Sequence, residues 1–494
     1  MDDTTARRPS PLERLLGLHA GDATIALPAI LCGFCLFSGY SVAKPLRDAV
    51  GASLGTTAVA KLQTGTFFAM IAASAVVGLL VSRLSWKTFV LVASTTWVVG
   101  AAIIAGFFAW AGPETSFVVD GAFFIAVSVF NLLSLSIFWA TLSDIFDAER
   151  AKRAFPSIGL GLTFGNIAGS WFVTTYAKTI PYSAFIAVSC AMLIVAGLCT
   201  VWILRFAPAR AHARHRTPGG SIAEMIEGMR TAFSSSYLLR LSGYLFLYSV
   251  TGTLVYMLQT SILNTTFANP DKAAMRGAIA QVTGRIDLYA NILTAALQLF
   301  VAGRILRWVG IGVALTLTPF STLAAIGLLT FSPTVAMLVP VQVARRGMHY
   351  ALDRPAREVL YTVVSIVERY KSKSFIDTFV YRFGDVIGGW TQQILERIGP
   401  APGALGASAL CLAFAGLGVS LGRSLRFRER QALEANRIAT CPICSYDLRG
   451  LAPEVACPEC GADAETRAAE QLRHAPLAKG SAHSSDTIKN SVPN

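Results

Sequence analysis

The stretch Glu149 to Trp171, ERAKRAFPSIGLGLTFGNIAGSW, returns without a gap 219 positions later as Glu368 to Trp390, ERYKSKSFIDTFVYRFGDVIGGW. Seven positions coincide: Glu149/Glu368, Arg150/Arg369, Lys152/Lys371, Phe164/Phe383, Gly165/Gly384, Gly169/Gly388 and Trp171/Trp390. In both copies a charged loop runs straight into an apolar stretch, so the repeated unit contains a point where the chain crosses into a membrane. The chain reads as two related halves.

The composition agrees. The chain is 53% apolar and 14% charged, with a mean hydropathy of +0.54, far more apolar than a soluble domain needs. The expected class is an all-α membrane protein in a lipid bilayer. Apolar windows of about 20 residues, enough to cross a bilayer, lie near 24–43, 58–81, 88–112, 117–141, 157–177, 183–205, 240–263, 281–302, 308–331, 333–350, 375–396 and 402–422. Twelve transmembrane helices divide into two six-helix halves, and the repeated stretch falls on spans five and eleven. The expected organisation is an N-terminal segment (1–23), a first half (24–206), a connector (207–239), a second half (240–423), a tail (424–470) and a disordered end (471–494).

Lys and Arg near span ends stay on the cytoplasmic side. Between spans four and five lie Arg150, Lys152 and Arg153. Between six and seven lie Arg205, Arg210, Arg214, Arg216 and Arg230, and between ten and eleven Arg345, Arg346, Arg354, Arg357, Arg369, Lys371 and Lys373. The loops between spans three and four and between nine and ten carry none. Both termini are therefore expected in the cytoplasm. The net charge of +13 is spread over separate loops, which speaks for topology and against nucleic acid as a partner. Arg7, Arg8 and Arg14 precede the first apolar stretch, but its length and its ending in Lys44-Pro-Leu-Arg47-Asp48 fit a retained helix rather than a signal peptide.

A charge at the centre of a membrane helix costs roughly 2.5–3.5 kcal/mol on insertion scales, so such residues face a cavity or a partner. The candidates are Lys44, Arg47 and Asp48 closing span one, with Lys61 near the start of span two; Asp144 at the end of span four; Arg285 and Asp287 in span eight; and Arg382 and Asp385 in span eleven. They come from both halves. One reading is ion pairing that neutralises charge inside the bundle. The other is a substrate-binding cavity for an anion, with the carboxylates holding the arginines or carrying a coupled proton. The surplus of cations favours the anion.

Gly161, Gly165 and Gly169 recur at four-residue steps, a small-residue ridge that lets membrane helices approach closely, and Gly384 and Gly388 supply the same contact in the second half. The spacing excludes a dinucleotide fingerprint. Cys32-x-x-Cys35 sits in an apolar span and reads as bundle lining, as do Cys190, Cys199 and Cys411. The tail differs: Cys441-Pro-Ile-Cys444 and Cys457-Pro-Glu-Cys460 are two knuckles whose four thiolates suit a tetrahedral structural zinc ion (Zn), forming a small C-terminal zinc ribbon at 441–460. With every position filled by cysteine the metal folds the tail rather than catalyses. Two roles are open to the ribbon: binding a cytoplasmic partner, or simply folding as a small appendage.

The segment Tyr350 to Tyr361, YALDRPAREVLY, followed by Lys371-Ser-Lys373-Ser-Phe-Ile376-Asp377, resembles the signature of the ATP/ADP antiporter family of plastids and intracellular bacteria. Ala151-Lys152-Arg153-Ala-Phe155-Pro156-Ser-Ile-Gly159-Leu-Gly161 resembles it too, and Tyr40-Ser-Val-Ala-Lys44-Pro-Leu-Arg47-Asp48 is similar to the family's basic first-helix motif. The resemblance covers most of 24–423 and implies a major-facilitator-like bundle that binds ATP and ADP and exchanges them across the membrane. Carried over by position, Lys44 or Arg47 takes the place of the essential first-helix cation and Asp144 that of the fourth-helix acid. The eleventh-helix lysine falls at Asp385, beside Arg382. The ribbon is not part of the family pattern.

The leading expectation is a nucleotide transporter working by alternating access, with Lys44, Arg47, Arg285 and Arg382 meeting the substrate. The alternatives are a proton-coupled carrier of another organic anion, using Asp144 or Asp385, and a non-transporting scaffold that recruits through the ribbon. An enzyme is not expected, because the sequence offers no nucleophile paired with a base, no open metal site and no phosphate-binding loop.

Overall fold

A computed structural model describes residues 22–111, 116–146, 148–206 and 222–438, scattered positions between 10 and 18, and most of 440–467. The connector residues 207–221, most of the N-terminal segment and everything beyond 467 lie outside the described residues, so the expectations placed there are not addressed. The chain divides into two compact units, Met1–Arg423 and Ser424–Asn494.

The first half is α1 (Ala23–Leu54), α2 (Thr56–Arg83), α3 (Trp86–Ala111), α4 (Phe117–Ile145), α5 (Ala148–Tyr176) and α6 (Tyr182–Leu204). A short α7 (Ile222–Ser234) leads to the second half: α8 (Ser236–Thr266), α9 (Lys272–Trp308), α10 (Ile311–Phe331), α11, α12 and α13 (Pro400–Ile438). In α11, Val335–Met348 passes through a π-helical turn, His349–Asp353, into Arg354–Leu360; in α12, Ile366–Phe375 passes through the π turn Ile376–Val380 into Tyr381–Ile398. Among the described residues these twelve helices follow the order of the twelve expected spans. Helices are the natural outcome, because lipid offers no partner to an unpaired backbone N–H or C=O.

Nine of the twelve are long and apolar enough to cross a membrane on composition alone, among the described residues. The exceptions are α5, α11 and α12, which carry the repeat and the polar groups described below. Two edges differ from the sequence reading. Residues 44–48 do not close the first span: α1 runs on to Leu54 with Pro45 inside it, which places the charges within the helix. The charged start of the first repeat copy is not a loop either, since α5 begins at Ala148. Hydropathy windows stop where charge begins, whereas helical hydrogen bonding continues through charged residues.

The repeat's glycines do one job twice. A Cβ built on Gly161, Gly165 or Gly169 of α5 would collide with the backbone carbonyls of Ile30, Phe34 and Ser38 on α1, all closer than the 3.0 Å that real Cβ atoms essentially never breach. In the second half, Gly384 and Gly388 of α12 lie against Phe246, Ser249 and Val250 of α8 in the same manner. The fifth helix of each half is thus seated on the first. Lipid tails are as apolar as leucine, so this contact is held by close packing rather than by the hydrophobic effect.

The largest buried cluster joins the halves at one end: Leu46 and Val50 of α1, Leu254 and Leu263 of α8, and Ile279 and Ile286 of α9 pack together. At the other end the main cluster, including Ile25, Phe138 and Ile158, belongs to the first half alone. The bundle is closed where the halves share a core and parted where they do not.

Candidate functional site

Between the halves lies a cavity of about 1200 Å³. It reaches the end that bears the basic loops, where Arg354, Arg357, Arg369 and Lys373 line it. A deeper chamber of about 180 Å³ adjoins it. The two share Lys44, Arg346, His349, Tyr350, Tyr381 and Arg382.

Of the charge pairs around the chamber, Lys44–Asp287 crosses the interface between the halves. Lys44 Nζ donates to both carboxylate oxygens of Asp287, at 2.5 and 2.6 Å, and Arg346 Nη1 donates to Asp287 Oδ1 at 2.5 Å. One acid from α9 therefore serves a cation from α1 and another from α11. Arg47 is pinned by Asp48 through Nε at 3.0 Å and Nη2 at 2.5 Å; the Tyr256 hydroxyl of α8 donates to the same carboxylate at 3.2 Å. Arg382 meets Asp385 one turn on, at 3.0 Å, while Ser249 and Thr253 of α8 donate to Asp385 at 2.6 and 3.1 Å. Of the charges expected in the interior, Lys44, Arg47, Asp48, Asp287, Arg382 and Asp385 are thus brought together.

Three others are not. Arg285 is exposed on α9, in the stripe of exposed Tyr289 and Ile292, because two residues along a helix turn a side chain about 200° from Asp287. Asp144 is half-buried at the end of α4, outside the cavity lining. Lys61 is exposed on α2.

Sequence reasoning missed the richest contributor, α11. Arg345 and Arg346 fall inside window 333–350, yet the positive-inside rule assigns them to a loop. Downstream, Asp353 is fully buried and held by the Tyr244 hydroxyl at 2.5 Å, by His349 Nδ1 at 3.0 Å and by Arg357 Nε at 3.2 Å. The His349 ring stacks on Tyr248 with centroids 4.3 Å apart. The π turn beginning at His349 explains the density of polar groups, since such turns splay the helix and recur at functional sites. A second arginine within an apolar window was the available signal.

The far end of the bundle is sealed by polar contacts as well as by the shared core. Arg276 of α9 donates to Asp120 of α4 at 2.5 Å, and both side chains are at most 3% exposed. Arg276 also donates to Ser53 of α1 at 3.1 Å. Thr57 of α2 donates to Gln393 of α12 at 2.7 Å, and Asn264 of α8 donates to Ala52 O at 2.7 Å.

In the second unit, Cys441, Cys444, Cys457 and Cys460 place their sulfurs within 4.8 Å of one another. The Cys441–Cys460 and Cys444–Cys457 sulfurs are 3.6 Å apart. That is far beyond the about 2.05 Å of a disulfide and close to the roughly 3.8 Å edge of a tetrahedron with metal–sulfur bonds of about 2.3 Å.

No family profile matches the chain. Among curated proteins it is 23% identical over 332 residues to ADP,ATP carrier protein 1 of Chlamydia trachomatis, a match covering 57% of this chain and 60% of that one. It is 22% identical over 324 residues to ADP,ATP carrier protein 1 of Chlamydia pneumoniae, covering 58% and 62%. To the chloroplastic ADP,ATP carrier protein 2 of Arabidopsis thaliana it is 24% identical over 308 residues, covering 55% and 48%. The chain thus spans about half to three-fifths of the length of these relatives. Among solved structures, a point mutant of the nucleoside transporter NupG aligns with a TM-score of 0.56 at 16% identity, over 82% of this chain and 99% of that one. The POT family transporter PepTSo aligns at 0.52 and 13% identity, over 83% and 98%. Among the described residues the chain is therefore a multi-pass helical membrane protein that shares its fold with these transporters.

Proposed function

We propose that this chain is a secondary transporter that exchanges an anionic, nucleotide-type solute by alternating access. The carrying observation is a cation-rich chamber built jointly by both halves, open toward the basic loops through a 1200 Å³ cavity and sealed at the far end by Asp120–Arg276. On the positive-inside reading this is an inward-facing carrier in a bacterial inner membrane, with both termini cytoplasmic. The sequence similarity to ADP,ATP carriers supports a nucleotide as the solute.

The chemistry follows from the pairs. Lys44 and Arg346 share Asp287. An anion entering from the cavity supplies the missing countercharge, and with its cations neutralised the site can close. No bond is made or broken. An obligatory exchanger needs only that the loaded carrier reorients more readily than the empty one. In the tail, the four sulfurs suit zinc, which would hold the two knuckles together as a structural ion through Cys441, Cys444, Cys457 and Cys460.

The test is the thermal stability of the purified protein across ATP, ADP, other nucleotides and organic phosphates. A site ligand at 100 times its Kd stabilises by about 2.7 kcal/mol through mass action. Stabilisation by nucleotides supports the proposal, and a panel in which no anion shifts the transition overturns it.

A further inference from the structure

Arg345 stands apart from the other chamber cations. Lys44 and Arg346 share Asp287, Arg47 has Asp48, and Arg382 has Asp385. Arg345 lines the same chamber and is only 7% exposed, yet its hydrogen bonds go to a neutral amide: Nε and Nη2 donate to Gln342 Oε1 at 3.1 and 3.0 Å. Gln342 Nε2 donates in turn to Gln259 Oε1 at 2.7 Å, and the same oxygen accepts from Arg346 Nη2 at 3.3 Å. Both amides are oriented by these bonds, so neither has a carbonyl free to turn toward Nη1. A guanidinium has five N–H donors in a rigid fork, and those on Nη1 are left to the chamber. Beside Nη1 the wall includes bare backbone: a Cβ built on Gly252 of α8 would have Arg345 Nη1 as its nearest neighbour, at 3.9 Å, and Tyr248, Tyr350 and Tyr381 line the same chamber.

A buried guanidinium without a carboxylate is costly unless an anion joins it. We propose that Arg345 is a fixed subsite for one anionic group, a phosphoryl or carboxylate oxyanion, deep in the chamber, and that it makes the carrier distinguish substrates by how many such groups they carry. The first anionic group is held by Lys44 and Arg346, and the next is read by Arg345. This rests on the anionic-solute reading above. Arg345 therefore acts on specificity, separating a substrate with one such group from a substrate with two.

The test titrates AMP and ADP into full-length wild type, Arg345→Gln, Arg345→Lys and Gly252→Ala in detergent. Wild type is expected to bind ADP at least tenfold more tightly than AMP. Arg345→Gln should lose at least tenfold in ADP affinity and less than threefold in AMP affinity, which erases the step between them, whereas Arg345→Lys restores most of it. Gly252→Ala leaves the charge in place but fills the space beside Nη1, and should shrink the step too, so the proposal remains testable if Arg345→Gln does not fold. A merely structural role would weaken both ligands alike. A step that survives in Arg345→Gln, or in Gly252→Ala where Arg345→Gln does not fold, or a loss equal for AMP and ADP, overturns the proposal while leaving the transporter reading intact. Wild type that binds neither nucleotide overturns both.

Discussion

The Asp120–Arg276 pair gives the sharpest handle on how the halves move. It links α4 of the first half to α9 of the second at the sealed end, with 2.5 Å between Oδ2 and Nη2, and its side chains are 1% and 3% exposed. Opening that end must separate them. In Asp120→Asn the carboxylate charge opposite Arg276 is gone while the guanidinium stays buried, a change that costs about 3–5 kcal/mol at buried sites. In an open state both groups would be hydrated and little would be lost, so the cost falls mainly on the closed state. At the low end, 3 kcal/mol is roughly a 150-fold shift in the ratio of closed to open. A wild type closed about 99% of the time would become a mixture in which both states are well populated. Spin labels at exposed Val118 of α4 and Ala274 of α9 report the separation by pulsed dipolar spectroscopy in liposomes. The variant should add a second, longer distance, and the exchange Asp120→Arg with Arg276→Asp should remove it again. A single, unchanged distance in Asp120→Asn would show that this pair does not hold the sealed end.

Three further outcomes follow from other parts of the molecule. Gly165→Leu forces a side chain into the Phe34 backbone; overpacking of this kind costs about 1–3 kcal/mol or more, so the melting temperature in detergent should fall by several degrees, and an unchanged value would refute the close approach of α5 to α1. Metal analysis should find about one zinc per chain, as a four-cysteine site predicts. Cys444→Ser or chelation should then expose the 440–467 region to protease without altering the melting of residues 1–423, whereas zinc-free protein with a protease-resistant tail would refute the metal assignment. Arg285→Gln should leave nucleotide binding within about twofold of wild type, because its side chain points away from the cavity; a tenfold loss would return Arg285 to the site.

The sequence made the twelve spans legible because each must satisfy its backbone internally and present apolar side chains over about 20 residues. The glycine ridge was equally readable: glycines four apart face one way, and the structure shows them against α1 and α8. The cysteine knuckles carry their geometry in their spacing. The site was only partly legible. Asp287 and Arg285 look alike in a hydropathy scan, and only helical phase sends one to Lys44 and the other to the exterior. Arg345 and Arg346 were hidden by the rule that assigns arginines near span ends to loops, whereas α11 carries on through a π turn to Leu360. The seal at Asp120 and Arg276 pairs residues 156 positions apart in sequence, and a single chain gives no local signal for such a contact.

The most direct test of the central claim is exchange in proteoliposomes made with the purified protein. Vesicles loaded with unlabelled ADP should take up external labelled ADP in a saturable manner, and vesicles without internal nucleotide should take up little. Lys44→Ala and Arg346→Gln, which remove the cations gathered at Asp287, should reduce the exchange at least tenfold while remaining folded. Uptake that ignores the internal nucleotide would contradict exchange, and wild-type rates in both variants would contradict the chamber as the substrate site.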